Sequence, residues 1–198
     1  QPLSKAPKRY LLSHKKQSST MKIILTILAL FIIGCTKKEK CSEVRKTLEK
    51  VLIEDQKFRN PYIPEKQNAI DRNNTKIVTK IIDSLGWLGK DDIGYDANLA
   101  LFMVIQHTDK LSTMEKYLTI MKEEKNSNKV DKRQIAYLTD RVELLNDRKQ
   151  IYGTQYSIDK NGIKFIDNLI NPEKVNERRK SMGMEPVEEY LMVLNEND

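Results

Sequence analysis

Beyond residue 43, apolar residues recur along the chain at intervals of three and four. Val44, Leu48, Val51, Leu52 and Phe58 follow this spacing, which gathers side chains on one face of a 3.6-residue turn and predicts a first helix. The stretch from Asn60 to Pro64 ends it, because proline has no amide donor and restricts the residue before it. A second helix is predicted from Glu65 to Leu85, with Ile77, Val78, Ile81, Ile82 and Leu85 on one stripe and Gly86 as its stop. After a loop over residues 86–94, a strongly apolar helix covers Tyr95 to Gln106. Ser112 followed by Glu115 has the spacing of a capping box and predicts a fourth helix, whose stripe is Tyr117, Leu118 and Met121. Asp131 and Gln134 repeat that signature ahead of a fifth helix carrying Ile135, Leu138, Val142 and Leu145.

The periodicity then changes. The β-prone runs QIYGTQYSI and IKFIDNLI flank Asp159-Lys160-Asn161-Gly162, and Asn-Gly between such runs predicts a hairpin. Asn171-Pro172 reads as an N-cap with proline at the first helical position, Gly183 follows the end of that helix, and Pro186 opens a last short helix through Leu194. The expected fold is mainly α, a compact multi-helix domain with one β-hairpin between the fifth and sixth helices. No sequence repeat interrupts it.

The chain has 198 residues, and its first part is read differently. Met21-Lys22 and the apolar run Ile23 to Ile33 have the layout of a secretory signal peptide; the run is too short for a spanning helix, which takes about 20 residues. Ile32-Ile33-Gly34-Cys35 resembles the lipobox of bacterial lipoproteins. That resemblance implies lipidation of Cys35 and a membrane partner engaged through its acyl chains. Each buried methylene contributes about 0.8 kcal/mol, so several chains make a durable anchor. Residues 1–20 are read as an upstream or non-native segment, 21–34 as the signal peptide, 35–42 as a tether and 43–198 as a single helical domain. Thr36, where an aspartate would favour inner-membrane retention by the enterobacterial sorting rule, leads us to expect the outer membrane, facing the periplasm. If Cys35 is acylated, Cys41 is left without an intramolecular disulfide partner.

This division changes the meaning of the charge. The formal charge is +7, from 35 cations and 28 anions. Six cations and no anion precede Cys35, so the rest carries 29 cations against the same 28 anions. The basic balance therefore offers no support for nucleic-acid binding. One histidine after Cys35, no HExxH pattern and no paired cysteines argue against a metal site. There is no Gly-rich phosphate loop and no GxSxG elbow, and nothing specifies a cofactor.

The chemistry lies in polar motifs that break the apolar stripes. His107, within QHTD, is placed at a helix C-terminus, where the dipole favours its cation. Asp109 either orients it or helps cap the next helix. Arg141, within YLTDR, is flanked by Tyr137, Leu138 and Val142; burying it calls for a carboxylate or an anionic ligand. Asp140 beside it is read either as a ligand contact or as an ion-pair partner. Gln150, Tyr152, Thr154 and Gln155 bring amides and hydroxyls to a strand-like turn, where they either orient a polar ligand or satisfy buried backbone ends. Alternation places the first three on one face and Gln155 on the other unless Gly153 introduces a bulge, and Arg178-Arg179 follows on the sixth helix.

The ordered motifs DQKFR, GWLG, QHTD, YLTDR, QIYGTQ, NERRKSMG and EYL resemble an uncharacterised bacterial family, domain of unknown function 6624, across about Leu48 to Leu191. The resemblance implies no activity. Read on their chemistry, the residues point to a lipid-anchored envelope protein that binds a polar or anionic ligand, or a protein partner, through Gln106, His107, Asp109, Asp140, Arg141, Gln150, Tyr152, Thr154, Gln155, Arg178 and Arg179. The alternative is an envelope hydrolase or transferase with His107 as catalytic general acid/base. A third possibility is that the motifs are an internal hydrogen-bond framework.

Overall fold

The computed structural model describes residues 39–196. The expected signal peptide, lipobox and Cys35 lie outside the described residues. Residues 39–56 form helix α1, so residues 39–42, expected in a tether, are already helical. The compact unit spans Val44–Asp198 and continues with α2 (Pro64–Leu85), α3 (Lys90–Ile93), α4 (Tyr95–His107), α5 (Leu111–Glu123), α6 (Lys132–Leu145), the hairpin of β1 (Ser157–Ile158) and β2 (Lys164–Phe165), α7 (Val175–Ser181) and α8 (Val187–Glu196). The fold is mainly α, and the hairpin follows the fifth of the expected helices, now α6. The extra element is α3, a short helix in what reads as a loop, entered and left through Gly89 and Gly94.

Helix α4 is the centre of the unit. Ala97, Ala100, Leu101, Val104 and Ile105 are at most 1 % exposed, and a helix apolar on every side is one surrounded by others. It packs against α2, α3, α5 and α6. The expected stripes supply the rest of the core: Leu48 and Val51 on α1, Val78 and Ile82 on α2, Tyr117, Leu118 and Met121 on α5, Ile135, Leu138 and Val142 on α6. Leu145 departs from its stripe and is exposed, because α6 ends there.

The caps differ in outcome. Asp131 caps α6 by accepting the Arg133 amide at 2.9 Å. Ser112 caps nothing: α5 starts one residue earlier, with Lys110 at the N-cap and no side-chain cap, and Glu115 instead accepts from Asn146 Nδ2 at 3.0 Å. Asn171 has a left-handed backbone (φ 42°) and leads into a 3-10 turn over Pro172–Lys174, so α7 begins later than the Asn-Pro signal suggests.

The hairpin pairs Ser157 with Phe165 and Ile158 with Lys164. Its turn is held by Asp159, whose Oδ1 accepts the amides of Asn161 and Ile163, both at 2.8 Å. Residues 150–155 are not part of a strand. Gln150 makes an isolated parallel bridge with Leu169, and Gly153 has a φ of +64°, so the expected strand-like alternation of Gln150, Tyr152 and Thr154 does not occur.

Candidate functional site

Two polar clusters emerge, and they divide the expected site residues between them. The first surrounds the loop at residues 150–155. Asp140 on α6 is fully buried. Its carboxylate accepts the backbone N–H groups of Ile151 (2.7 Å), Tyr152 (3.0 Å) and Thr154 (2.9 Å), and the Thr154 hydroxyl at 2.9 Å. Burial pushes this carboxyl above its ordinary value even though the four donors pull it back. The loop's carbonyls are met from α7. Arg178 Nε donates to Ile151 O at 2.6 Å, and Nη2 to Ile170 O at 2.6 Å. Arg179, also fully buried, gives Nη1 to Tyr152 O (3.1 Å) and Gly153 O (3.0 Å) and Nε to Glu185 O (2.6 Å), with its guanidinium 4.9 Å from the Tyr190 ring centre.

Gln150 closes the loop from inside. Its Nε2 donates to Gln155 O and Asp167 O, and its Oε1 accepts from Gln155 N. Gln155 Nε2 donates to Thr154 Oγ1, and Tyr190 donates its hydroxyl to Thr154 O at 3.0 Å. Space is tight as well: a Cβ on Gly153 would meet Ile166 Cγ2 at 3.3 Å. Thus Asp140, Gln150, Thr154, Gln155, Arg178 and Arg179 satisfy the loop itself, with Tyr152 half-buried among them. No hydrogen bond or ion pair among the described residues joins this cluster to His107.

The second cluster forms where α1, α2 and α4 meet. His107 Nδ1 lies 2.9 Å from Asp55 Oδ2 and 3.1 Å from Oδ1. A ring nitrogen facing a carboxylate carries the proton, which leaves Nε2 as the acceptor of the neutral imidazole. Asp55 is fully buried and also receives Arg59 Nη2 at 3.1 Å. Burial opposes the ionised form, but the hydrogen bonds and charges of His107 and then Arg59 outweigh it and hold the Asp55 carboxyl below its ordinary value. Arg59 Nη2 and Gln67 Nε2 both donate to Asp71 Oδ1 at 2.7 Å, and Gln67 Oε1 accepts the Phe58 amide.

The orienting carboxylate of His107 is therefore Asp55, 52 residues away in sequence, and not Asp109. Asp109 is exposed and caps no helix. It shares with His107 a small pocket of about 100 Å³, lined also by Asn68, Asp71 and Arg72.

Arg141 is the residue left over. It is largely buried; its Nε is inaccessible and has no hydrogen-bond partner. Among the described residues it makes no ion pair. Burial, then the charge of nearby Arg59, lowers its pKa from the ordinary guanidinium value. The expectation that a buried Arg141 must meet a carboxylate or a ligand thus finds no carboxylate. Gln106, adjacent to His107, points elsewhere, into a groove against α6.

Asp55, Arg59, Gln67 and Asp71 are site residues that the sequence reading did not single out. The available signal was DQKFR itself, in which Asp55 and Arg59 stand four apart at the end of the first apolar stripe. Among the described residues no group of three or more His, Cys, Asp or Glu side chains could hold a metal ion, and no helix is long and apolar enough to cross a membrane.

Fold and site together define a small helical domain with a part-buried aspartate-histidine pair and an arginine without an ion-pair partner among the described residues. The chain belongs to the family of unknown function DUF6624, whose model matches residues 45–198. No curated protein and no solved structure matches it.

Proposed function

We propose that this is a lipid-anchored bacterial envelope protein whose helical domain binds an anionic ligand, a phosphate or carboxylate, at Arg141, with nearby Arg59 leading from it to the Asp55–His107 cluster. The observation that carries the reading is the state of Arg141. Arg141 is part-buried, and its Nε is withdrawn from water without a partner, which is costly, while a second arginine nearby adds repulsion. An anion relieves both at once, and the planar fork of arginine suits a two-oxygen acceptor. The His107 ring, fixed through Nδ1, leaves Nε2 free for a further contact.

The test is calorimetric titration of the purified chain with inorganic phosphate and with glucuronate, using glucose as the neutral control. Saturable binding of at least one anion, weakened tenfold or more by Arg141→Met and absent for glucose, is expected. Equal binding by wild type and Arg141→Met would remove Arg141 from the site.

A second reading is favoured by the Asp55–His107 pair, which has the geometry of an oriented general acid/base. In an envelope hydrolase or transferase, Nε2 would move a proton while the arginines stabilise developing negative charge. If this holds, His107→Ala loses turnover of an envelope-derived phosphoester or ester while anion binding persists. Joint loss of anion binding and of the melting transition in that variant would instead make His107 a structural strut.

A further inference from the structure

An adjoining face of α4 carries a second feature. Gln106 and His107 are consecutive on the helix and so diverge by about 100°. While His107 turns toward α1 and α2, Gln106 lines a cavity of about 400 Å³ between α4 and α6, bounded by Met184 and Glu185 on the α7–α8 connection. Ligand pockets run to about 300–1,000 Å³.

Gln106 is 8 % exposed, and its Oε1 is buried with no hydrogen-bond partner. Gln134 on α6 lines the same cavity, and its Oε1 is in the same condition. The two carboxamides come from different helices. Leaving a buried acceptor without a donor is unfavourable; both Oε1 atoms are closed to water in the free protein, so a ligand in the groove meets them only once the carboxamides turn toward it.

The remaining lining narrows the ligand. Leu99, Phe102, Met103, Tyr137 and Met184 make the walls apolar, and Tyr95, 70 % exposed, stands at the mouth. The charges at the rim are engaged elsewhere: Arg133 is paired with Asp131 at 2.7 Å, and Glu185 with Arg179 at 3.3 Å. No uncompensated charge selects an ion. A carboxamide offers one acceptor and two donors in a plane, and so complements another amide.

We propose that this groove binds a neutral amide bearing an apolar side chain, the chemistry of a peptide unit, with Gln106 and Gln134 meeting its N–H and C=O groups. The groove is lined by none of Arg59, His107 and Arg141, and neither proposal depends on the other.

The test is an amide-resolved NMR titration of the isotope-labelled full chain with N-acetyl-leucinamide, N-acetyl-alaninamide and a capped Ala-Leu-Ala tripeptide. The leucyl probe is expected to give saturable shifts at the Gln106 and Gln134 side-chain amides with a dissociation constant of about a millimolar, the range for a ligand of this size. The alanyl probe is expected to bind at least tenfold more weakly. Tyr95→Ala, at an exposed position, and Gln134→Leu should each weaken the leucyl probe tenfold without lowering the melting temperature. Tighter binding of the tripeptide points to a peptide segment as the natural occupant, whereas equal affinity points to a free amide. Absence of saturable shifts, or undiminished binding by Gln134→Leu, overturns the proposal.

Discussion

His107 illustrates how much one side chain depends on a distant one. The residue was visible in sequence as the one histidine after Cys35, but its partner was not, because Asp55 comes from α1, three helices earlier, and the contact is created by packing. The pair has a pH signature. Asp55 has a folded value below the usual carboxylate value of about 3.9, so the unfolded chain binds the proton more tightly. The stabilisation from its ionised form is fully present above that value, and is lost as pH falls through the lower folded one. Asp55→Asn is expected to cost about 3 kcal/mol at neutral pH, the scale for breaking a buried ion pair. It should also flatten the fall in stability below about pH 4. Urea unfolding across that range checks both; a wild-type acid limb retained in the variant would show that another carboxylate governs it.

At the scale of elements, helices were legible wherever a stripe was long, and local signals failed where tertiary structure decided. The hydrophobic spacing located α2, α4, α5 and α6 well, yet Ser112 and Asn171, both with plausible capping chemistry, make no cap. The QIYGTQ segment was open to two readings, a site that orients a polar ligand or groups that satisfy buried backbone ends. It is a loop with amides bound by Asp140 and carbonyls bound by Arg178 and Arg179. Sequence spacing could not reveal this, since the three charged residues belong to α6 and α7 and meet the loop only after those helices pack. Asp140→Asn places an NH₂ group among donors and should lower stability by about 3 kcal/mol. Arg179→Lys keeps the charge but loses the planar fork across Glu185, Tyr152 and Gly153, and is expected to cost about 2 kcal/mol. Denaturation midpoints measure both. A neutral Arg179→Lys would mean that charge alone holds the loop.

For the molecule as a whole, the proposal joins an acylated Cys35 to a helical body with two separate binding features. In a bacterial host, Cys35→Ala should move the protein from the membrane fraction to the soluble one; retention in the membrane fraction would contradict acyl anchoring at that residue. The mainly helical class and the hairpin were readable from periodicity and Asn-Gly. The division of the polar motifs was not, because it depends on how α6 and α7 pack on the 150–155 loop and α1 and α2 on the end of α4. The central claim is that Arg141 is kept for a ligand and not for the fold, and the most direct measurement is the stability of Arg141→Met in anion-free buffer and in phosphate. Removing a part-buried, uncompensated charge should make the free protein more stable by about 1 kcal/mol, while abolishing the stabilisation that phosphate gives the wild type. A variant that is less stable than wild type without anion, yet responds to phosphate as the wild type does, would show that Arg141 serves the fold.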